Sequence, residues 1–199
     1  VDTDVRQRRR WEHAAHGITL FTVHVRRGYP DVQDPKLNSH SKINCITACI
    51  QATAAGADEA LMLDPHGFVA TCNSTHFFIV RKGAVWTSTG DYCLGGITRG
   101  NVLQACREAG IPAFEKNFSL TEVYGADEAF VTGTFAGVVP VRLIDGRLVG
   151  VLTERDIFGR LVGTDVAAGV DLDGPGEKYK TIDPRTLRLE QTVADAIAL

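Results

Sequence analysis

Residues 56–87, GADEALMLDPHGFVATCNSTHFFIVRKGAVWT, decide the fold class. Within them, 59–63, 68–71, 77–81 and 85–87 are short apolar runs, separated by the turn formers Asp64-Pro65-His66-Gly67 and Lys82-Gly83. Each run is too short for a stable helix. The glycine and proline at the breaks supply the backbone angles that tight reversals need. These runs are expected to be antiparallel strands.

Working outward, residues 18–25 (ITLFTVHV) alternate as a strand does, and 26–35 run through Gly28, Pro30 and Pro35 as a loop. Ile43, Ile46 and Ile50 then recur at helical spacing, predicting a helix over 41–55 with Gly56 as a left-handed C-terminal cap. On the other side, 98–109 read as a second helix closed by Gly110 and 111–116 as a strand. A short helical turn follows at 120–124, then strands at 128–132 and 138–144. Strands and helices mix without regular βαβ repetition, so the expected class is α+β. After Asp145-Gly146 the reading is a strand at 148–152, a helix at 154–162, a long loop at 163–184 and a final helix at 187–199. Three regions are expected: an arm over 1–17, a domain over 18–147 and a tail over 148–199.

The 199 residues are 44% hydrophobic and 23% charged with a net charge of −3, the balance of a globular chain that needs no staples. That charge offers nothing general to a phosphate backbone. The only basic run, Arg8 to Arg10, reads as solvated, and nucleic acid is not an expected partner. Five cysteines, odd in number and without a CxxC pair, suggest neither a disulfide framework nor a metal site, and point to a reducing, cytoplasmic compartment. No segment approaches the roughly 18 continuous apolar residues of a membrane span, and the Arg-rich start lacks the apolar centre of a secretory signal.

Two segments are candidates for anion chemistry. In Leu94-Gly95-Gly96-Ile97-Thr98-Arg99, glycines ahead of a helix permit close backbone approach while the Ile97 and Thr98 amides lie at the positive helix end. The bland reading is a glycine loop capped by Thr98. In Thr132-Gly133-Thr134, after an apolar strand, a small residue and a hydroxyl can meet the same anion, and the bland reading is a strand end.

Together with 56–87, the runs LGGITRGNVLQACREAGIP and ADEAFVTGTFAGVVPVRLIDGR resemble the large domain of the class IV (fold type IV) aminotransferases, in matching order from Arg8 to Arg147. The family includes branched-chain and D-amino-acid aminotransferases. The resemblance implies a mixed sheet or barrel with flanking helices and pyridoxal 5'-phosphate (PLP) as cofactor. It also implies amino-group transfer between an α-amino acid and a 2-oxo acid, in a homodimer. It assigns Ile97, Thr98 and Thr134 to the cofactor phosphate, sets Gly133 and Ala136 beside the substrate carboxylate, and puts Ser74 and Thr75 in a small polar loop near the cofactor.

The departures from the family concern its chemistry. The lysine that carries PLP falls on Asn38 of KLNSHSK, and the glutamate that keeps the pyridine nitrogen protonated falls on Thr71. Asn cannot form a Schiff base, and a neutral hydroxyl holds that proton poorly. Lys36, two residues before Asn38 and on the same face if the segment is a strand, is the candidate anchor and general base. Lys42, at the helix start, is the other lysine in reach. His76 stands where the family has Asn. His40 reads either as a base or as a helix-entry residue beside the cap candidate Ser41, and Cys45 and Cys49 read as core packing. Ahead of residue 18, where family members carry a small domain, 17 residues are present.

Two functions therefore stand side by side: amino transfer, or a catalytically degenerate homologue that binds PLP or another phosphate or serves as a structural subunit. The run PVRLIDGRLVGVLTERDIFGRL is also similar to part of a CBS module, in which Thr153 and Asp156 would contact ribose, giving a third reading of nucleotide sensing.

Overall fold

The computed structural model describes residues 17–134 and 137–149. Nine strands form one mixed sheet. They are β1 (Ile18–Thr22), β2 (Glu59–Leu63), β3 (Val69–Cys72), β4 (His76–Arg81), β5 (Ala84–Thr87), β6 (Ala113–Glu115), β7 (Glu128–Gly133), β8 (Gly137–Ile144) and β9 (Arg147–Leu148). The helices are α1 (Pro30–Gln33), α2 (Ile43–Ala54), α3 (Ile97–Glu108) and α4 (Leu120–Tyr124). The α+β class expected from the strand and helix pattern is the class observed.

Strand order is β3-β2-β1-β8-β7-β4-β5-β6, with β9 on β8. The β2–β3 and β4–β5 pairs are antiparallel, as 56–87 suggested. Three parallel pairings were not visible in the local pattern, and one of them joins β1 to β8. β1 runs parallel to β2 with α1 and α2 in the connection, and β5 runs parallel to β6 with α3 in the connection. Two βαβ crossovers therefore exist, one toward each end of the strand order, although no regular repeat announces them. A parallel pair cannot close through a tight turn and takes a helix to return the chain.

Leu20, Leu61, Phe77, Ile79, Val131 and Val141 anchor the largest apolar cluster, and α4 adds Val123 to it. On the α3 side of the sheet, Phe78 and Phe130 stack with ring centroids 4.8 Å apart and pack with Val102, Leu103 and Cys106. A stacked pair of buried phenylalanines is worth about 0.5–1.5 kcal/mol beyond the area removed from water, and this one seats the later turns of α3 on the sheet. Ala48 and Ala52 seat α2 against Ala60 and Met62, leaving Ile43, Ile46 and Ile50 on its outer face, 73%, 55% and 63% exposed.

Three local expectations are corrected. The condition on which Lys36 and Asn38 would share a face, a strand there, is not met: the segment is turn and bend, because the Asp34 carboxylate accepts the Lys36 amide at 2.9 Å and the Asp34 carbonyl accepts the Leu37 amide at 3.0 Å. Pro30–Gln33, expected as loop, forms one helical turn, opened by the proline at its first position. The N-cap of α2 is Lys42 without a side-chain bond, so Ser41 does not cap it. The strand expected over 148–152 lies within the described residues only as far as 149, where Arg147–Leu148 pair with β8. The tail helices, the Arg8–Arg10 run and the Thr153–Asp156 pair lie outside the described residues.

Candidate active site

A cleft of about 290 Å³ opens between the 27–45 segment and the β3–β4 turn. Its walls include Arg27, Asn38, Lys42, Cys45, Thr71, Ser74, Thr75, His76 and Leu94.

The β3–β4 turn is held by one buried carboxylate. Glu59, 6% exposed, accepts from the Ser74 amide and hydroxyl through Oε1, at 2.8 and 2.7 Å, and from the Thr75 hydroxyl through Oε2 at 2.7 Å. These bonds turn Ser74 and Thr75 toward β2, and their hydroxyl protons are spent there. Thr71, also buried, donates its hydroxyl to the Thr75 carbonyl at 2.8 Å. Its oxygen can therefore only accept from a ligand.

Across the cleft, Arg27 ties three segments together. Its Nε donates to the Tyr92 carbonyl at 2.9 Å, Nη1 to Cys45 Sγ at 2.8 Å and Nη2 to the Pro35 carbonyl at 3.5 Å. A guanidinium is well suited to such a clamp because its donors fan out in a fixed plane. Cys45, read from sequence as core packing, is instead a half-buried wall of the cleft. Tyr29, His66 and Tyr92 form a triangle of edge-on rings, 6.0 to 6.3 Å between centroids, and Tyr29 reaches the cleft wall. Neither Arg27 nor this triangle carried a sequence signal, since single residues on separate loops meet only in the folded chain.

Next to the cleft wall at Leu94 and His76, α3 begins. Gly96 is its N-cap with φ +60°, and no side chain caps the helix, so Thr98 is not the cap and the first-turn amides have no acceptor within the helix. Only a residue without Cβ fits at position 96: a methyl group there would sit 2.4 Å from His76 Cε1. His76 Nε2 lies 2.7 Å from the Leu94 carbonyl, which can only accept, so Nε2 carries the proton. Burial lowers the His76 pKa, so the ring stays neutral near pH 7. Arg99 Nη2 donates to the Ser88 carbonyl at 2.7 Å and to Glu115 at 2.6 Å, pinning the first turn of α3 from a position 6% exposed.

Of the residues singled out from sequence, Thr71, Ser74 and Thr75 meet at the cleft, as do Asn38 and Lys42. Lys36 lies elsewhere. Its Nζ is 3.7 Å from Asp91, with the side chain 54% exposed, and the period-two argument that aimed it inward does not hold for a turn. His40 is exposed. Ile97 is 76% exposed, Thr98 half-buried and Thr134 exposed, while Gly133 packs against the Thr75 methyl, 3.4 Å from where a Cβ would stand. Ala136 is outside the described residues.

Comparison with known proteins bears on this arrangement. Residues 5–144 match the model of the family described as amino-transferase class IV. The chain is 40% identical over 137 residues to a branched-chain-amino-acid aminotransferase of Pseudomonas aeruginosa, an alignment covering 68% of this chain and 45% of that protein. It is 41% identical over 131 residues to branched-chain-amino-acid aminotransferase-like protein 2 of Arabidopsis thaliana, covering 66% of this chain and 23% of that one. The chain thus spans less than half the length of either relative.

Among solved structures, an aminotransferase from Brucella abortus bound to PLP superposes with a TM-score of 0.65 at 33% identity, covering 67% of this chain and 49% of that one. A branched-chain aminotransferase from Thermoproteus uzoniensis with norvaline gives 0.64 at 36% identity, covering 66% and 45%. With the mixed sheet and the glycine-capped α3 in matching order, the chain belongs to the class IV aminotransferase family.

Proposed function

We propose that this chain is the cofactor-binding part of a class IV aminotransferase. It receives PLP in the cleft, with the phosphate at the N-terminus of α3 and an α-amino acid and a 2-oxo acid as the exchanging pair. The names of the relatives favour branched-chain substrates. The observation that carries the reading is the uncapped start of α3, where Gly96 leaves the first-turn amides without an acceptor beside the cleft wall formed by Leu94 and His76. Free amides at a positive helix end suit a phosphate. Ile97 and Thr98 on that turn, with Thr134 and Gly133 at the end of β7, would hold it.

PLP when bound supplies an electron sink for the substrate α-carbon. The phosphate end of the cleft fits the cofactor, but the two groups the family uses at its other end are replaced. Asn38 stands at the lysine position, and Thr71, its proton given to Thr75, stands at the glutamate position. No covalent step is derived through Asn38. If amino transfer occurs, Lys42, which lines the cleft, is placed for proton transfer, whereas Lys36 has first to leave Asp91.

A second reading, a non-catalytic PLP or phosphate binder, is favoured by these same replacements. Saturable PLP binding followed by borohydride reduction and peptide mass spectrometry separates the two. Stoichiometric label on Lys42 or Lys36 supports amino transfer; saturable binding without label supports the binder; no saturable binding defeats both. A homodimer is part of the proposal, supported by the exposed Ile43, Ile46 and Ile50 of α2 with Tyr29, Val32 and Leu37 nearby in sequence. Sedimentation of the chain checks it. All five cysteines are free, in keeping with a reducing compartment, and no helix among the described residues is long and apolar enough to cross a membrane.

A further inference from the structure

His76 and Thr132 are cross-strand partners in β4 and β7, so both side chains leave the sheet on one face. It is the face α3 covers, because Phe78 and Phe130, two residues along each strand, pack there with Val102 and Leu103. His76 reaches Gly96 at the start of α3. Thr132 is fully buried beside it, and its hydroxyl has no partner among the described residues. An uncapped helix end and a neutral imidazole thus meet at Gly96, and an orphan hydroxyl lies on the strand paired with the ring's own.

The imidazole has a fixed polarity. Nε2–H donates to the Leu94 carbonyl, so in the neutral ring Nδ1 carries a lone pair. Nδ1 lies 2.8 Å from the position a Gly96 Cβ would take, at the mouth of the free amides. A lone pair there suits an empty positive helix end and opposes an arriving anion. Protonation reverses both effects, turning Nδ1 into a donor and adding a positive charge.

We propose that His76 makes anion capture at α3 proton-linked: the ring takes up a proton as a dianionic phosphate or sulfate group binds, and Nδ1–H then donates to it. The inference rests on the reading of α3 as the phosphate site. The charges acting on the ring are Arg99 of α3 and Arg27 of the segment after β1, and together with burial they hold it neutral until an anion offsets them. From β7 it is faced by uncharged Thr132. The cleft thiols Cys72 and Cys93 are pushed up by burial and stay neutral through the range concerned.

Sulfate is the probe, because its charge is constant between pH 5.5 and 8. Its affinity for the whole chain is measured by calorimetry across that range, and the His76 ring titration is followed by NMR with and without sulfate. The expected result is binding about fivefold tighter at pH 5.5 than at pH 8, short of the tenfold limit that one unit of pKa movement sets at lower pH. The titration midpoint of His76 should rise on adding sulfate, and the pH dependence should be absent in His76→Asn. Binding with the same pH slope in His76→Asn, or a midpoint that does not move, overturns the role of His76 while leaving the anion site standing. No sulfate binding at any pH removes the anion site and this inference together. The ring titration of the unmutated chain tests the role of His76 even if the variant fails to fold.

Discussion

The two ends of the proposed cofactor site are built from different material. In the proposed site the groups at α3 are backbone amides, left uncapped behind Gly96, with the buried Arg99 in the same turn and the Phe78–Phe130 stack against the helix. At the opposite end, the positions that would hold the reacting part of a cofactor are single side chains, Asn38 and Thr71, on a turn and a strand edge. A site made of backbone persists as long as the fold does. A site made of side chains depends on residue identity alone, so fold and activity can separate there.

The sharpest test of this contrast restores the missing side chains. The double substitution Asn38→Lys with Thr71→Glu is expected to give stoichiometric borohydride-trapped PLP at position 38. It should also raise amino transfer by about a hundredfold or more, the scale of positioned acid–base catalysis. The labelled-peptide mass and a transamination assay check it. A folded double variant that takes no label would show that the α3 end does not hold the phosphate. Gly96→Ala attacks the backbone end. The added methyl meets His76, and the left-handed angle is unfavourable for alanine, so a loss of about 3 kcal/mol in denaturant unfolding is expected along with loss of sulfate binding.

Glu59→Ala removes the carboxylate that holds Ser74 and Thr75 and is expected to cost about 2 kcal/mol, the range for hydrogen bonds to a charged group. Sulfate affinity should change far less than in Gly96→Ala, because the α3 amides are untouched. A comparable loss in both would mean that the two ends are not independent.

The smallest effect concerns pH. His76 has a lowered pKa in the folded chain, so below its ordinary value of about 6.5 the unfolded chain binds the extra proton and folding stability falls. His76→Asn should flatten that decline between pH 7 and 5, and saturating sulfate should reduce it in the unmutated chain. Urea unfolding at a series of pH values reads both.

Much of the fold was legible in local pattern. The strand at 59–63 and the helical turn at 120–124 were placed at their observed limits, and the helices near 41–55 and 98–109 to within two residues, because apolar periodicity and glycine breaks are local properties. The parallel pairings of β1 with β2 and of β5 with β6 were not, since register between strands separated by a helix depends on packing that no short window contains. The turn around Lys36 was not legible for a related reason. Side-chain acceptance by Asp34 competes with strand geometry, and the period-two argument for Lys36 assumed the strand.

What the sequence by itself determined was the list of elements, the family pattern of LGGITR and VTGT, and the presence of Asn38 and Thr71 at the positions the resemblance aligns with the family's lysine and glutamate, all matters of residue identity at a given spacing. Tertiary structure alone decided that Lys42 rather than Lys36 borders the cleft and that Arg27 and Cys45 are among its walls. It also decided that His76 rests on the glycine opening α3. These are meetings between segments 18 to 65 residues apart, and only the packed sheet brings such segments within hydrogen-bond distance.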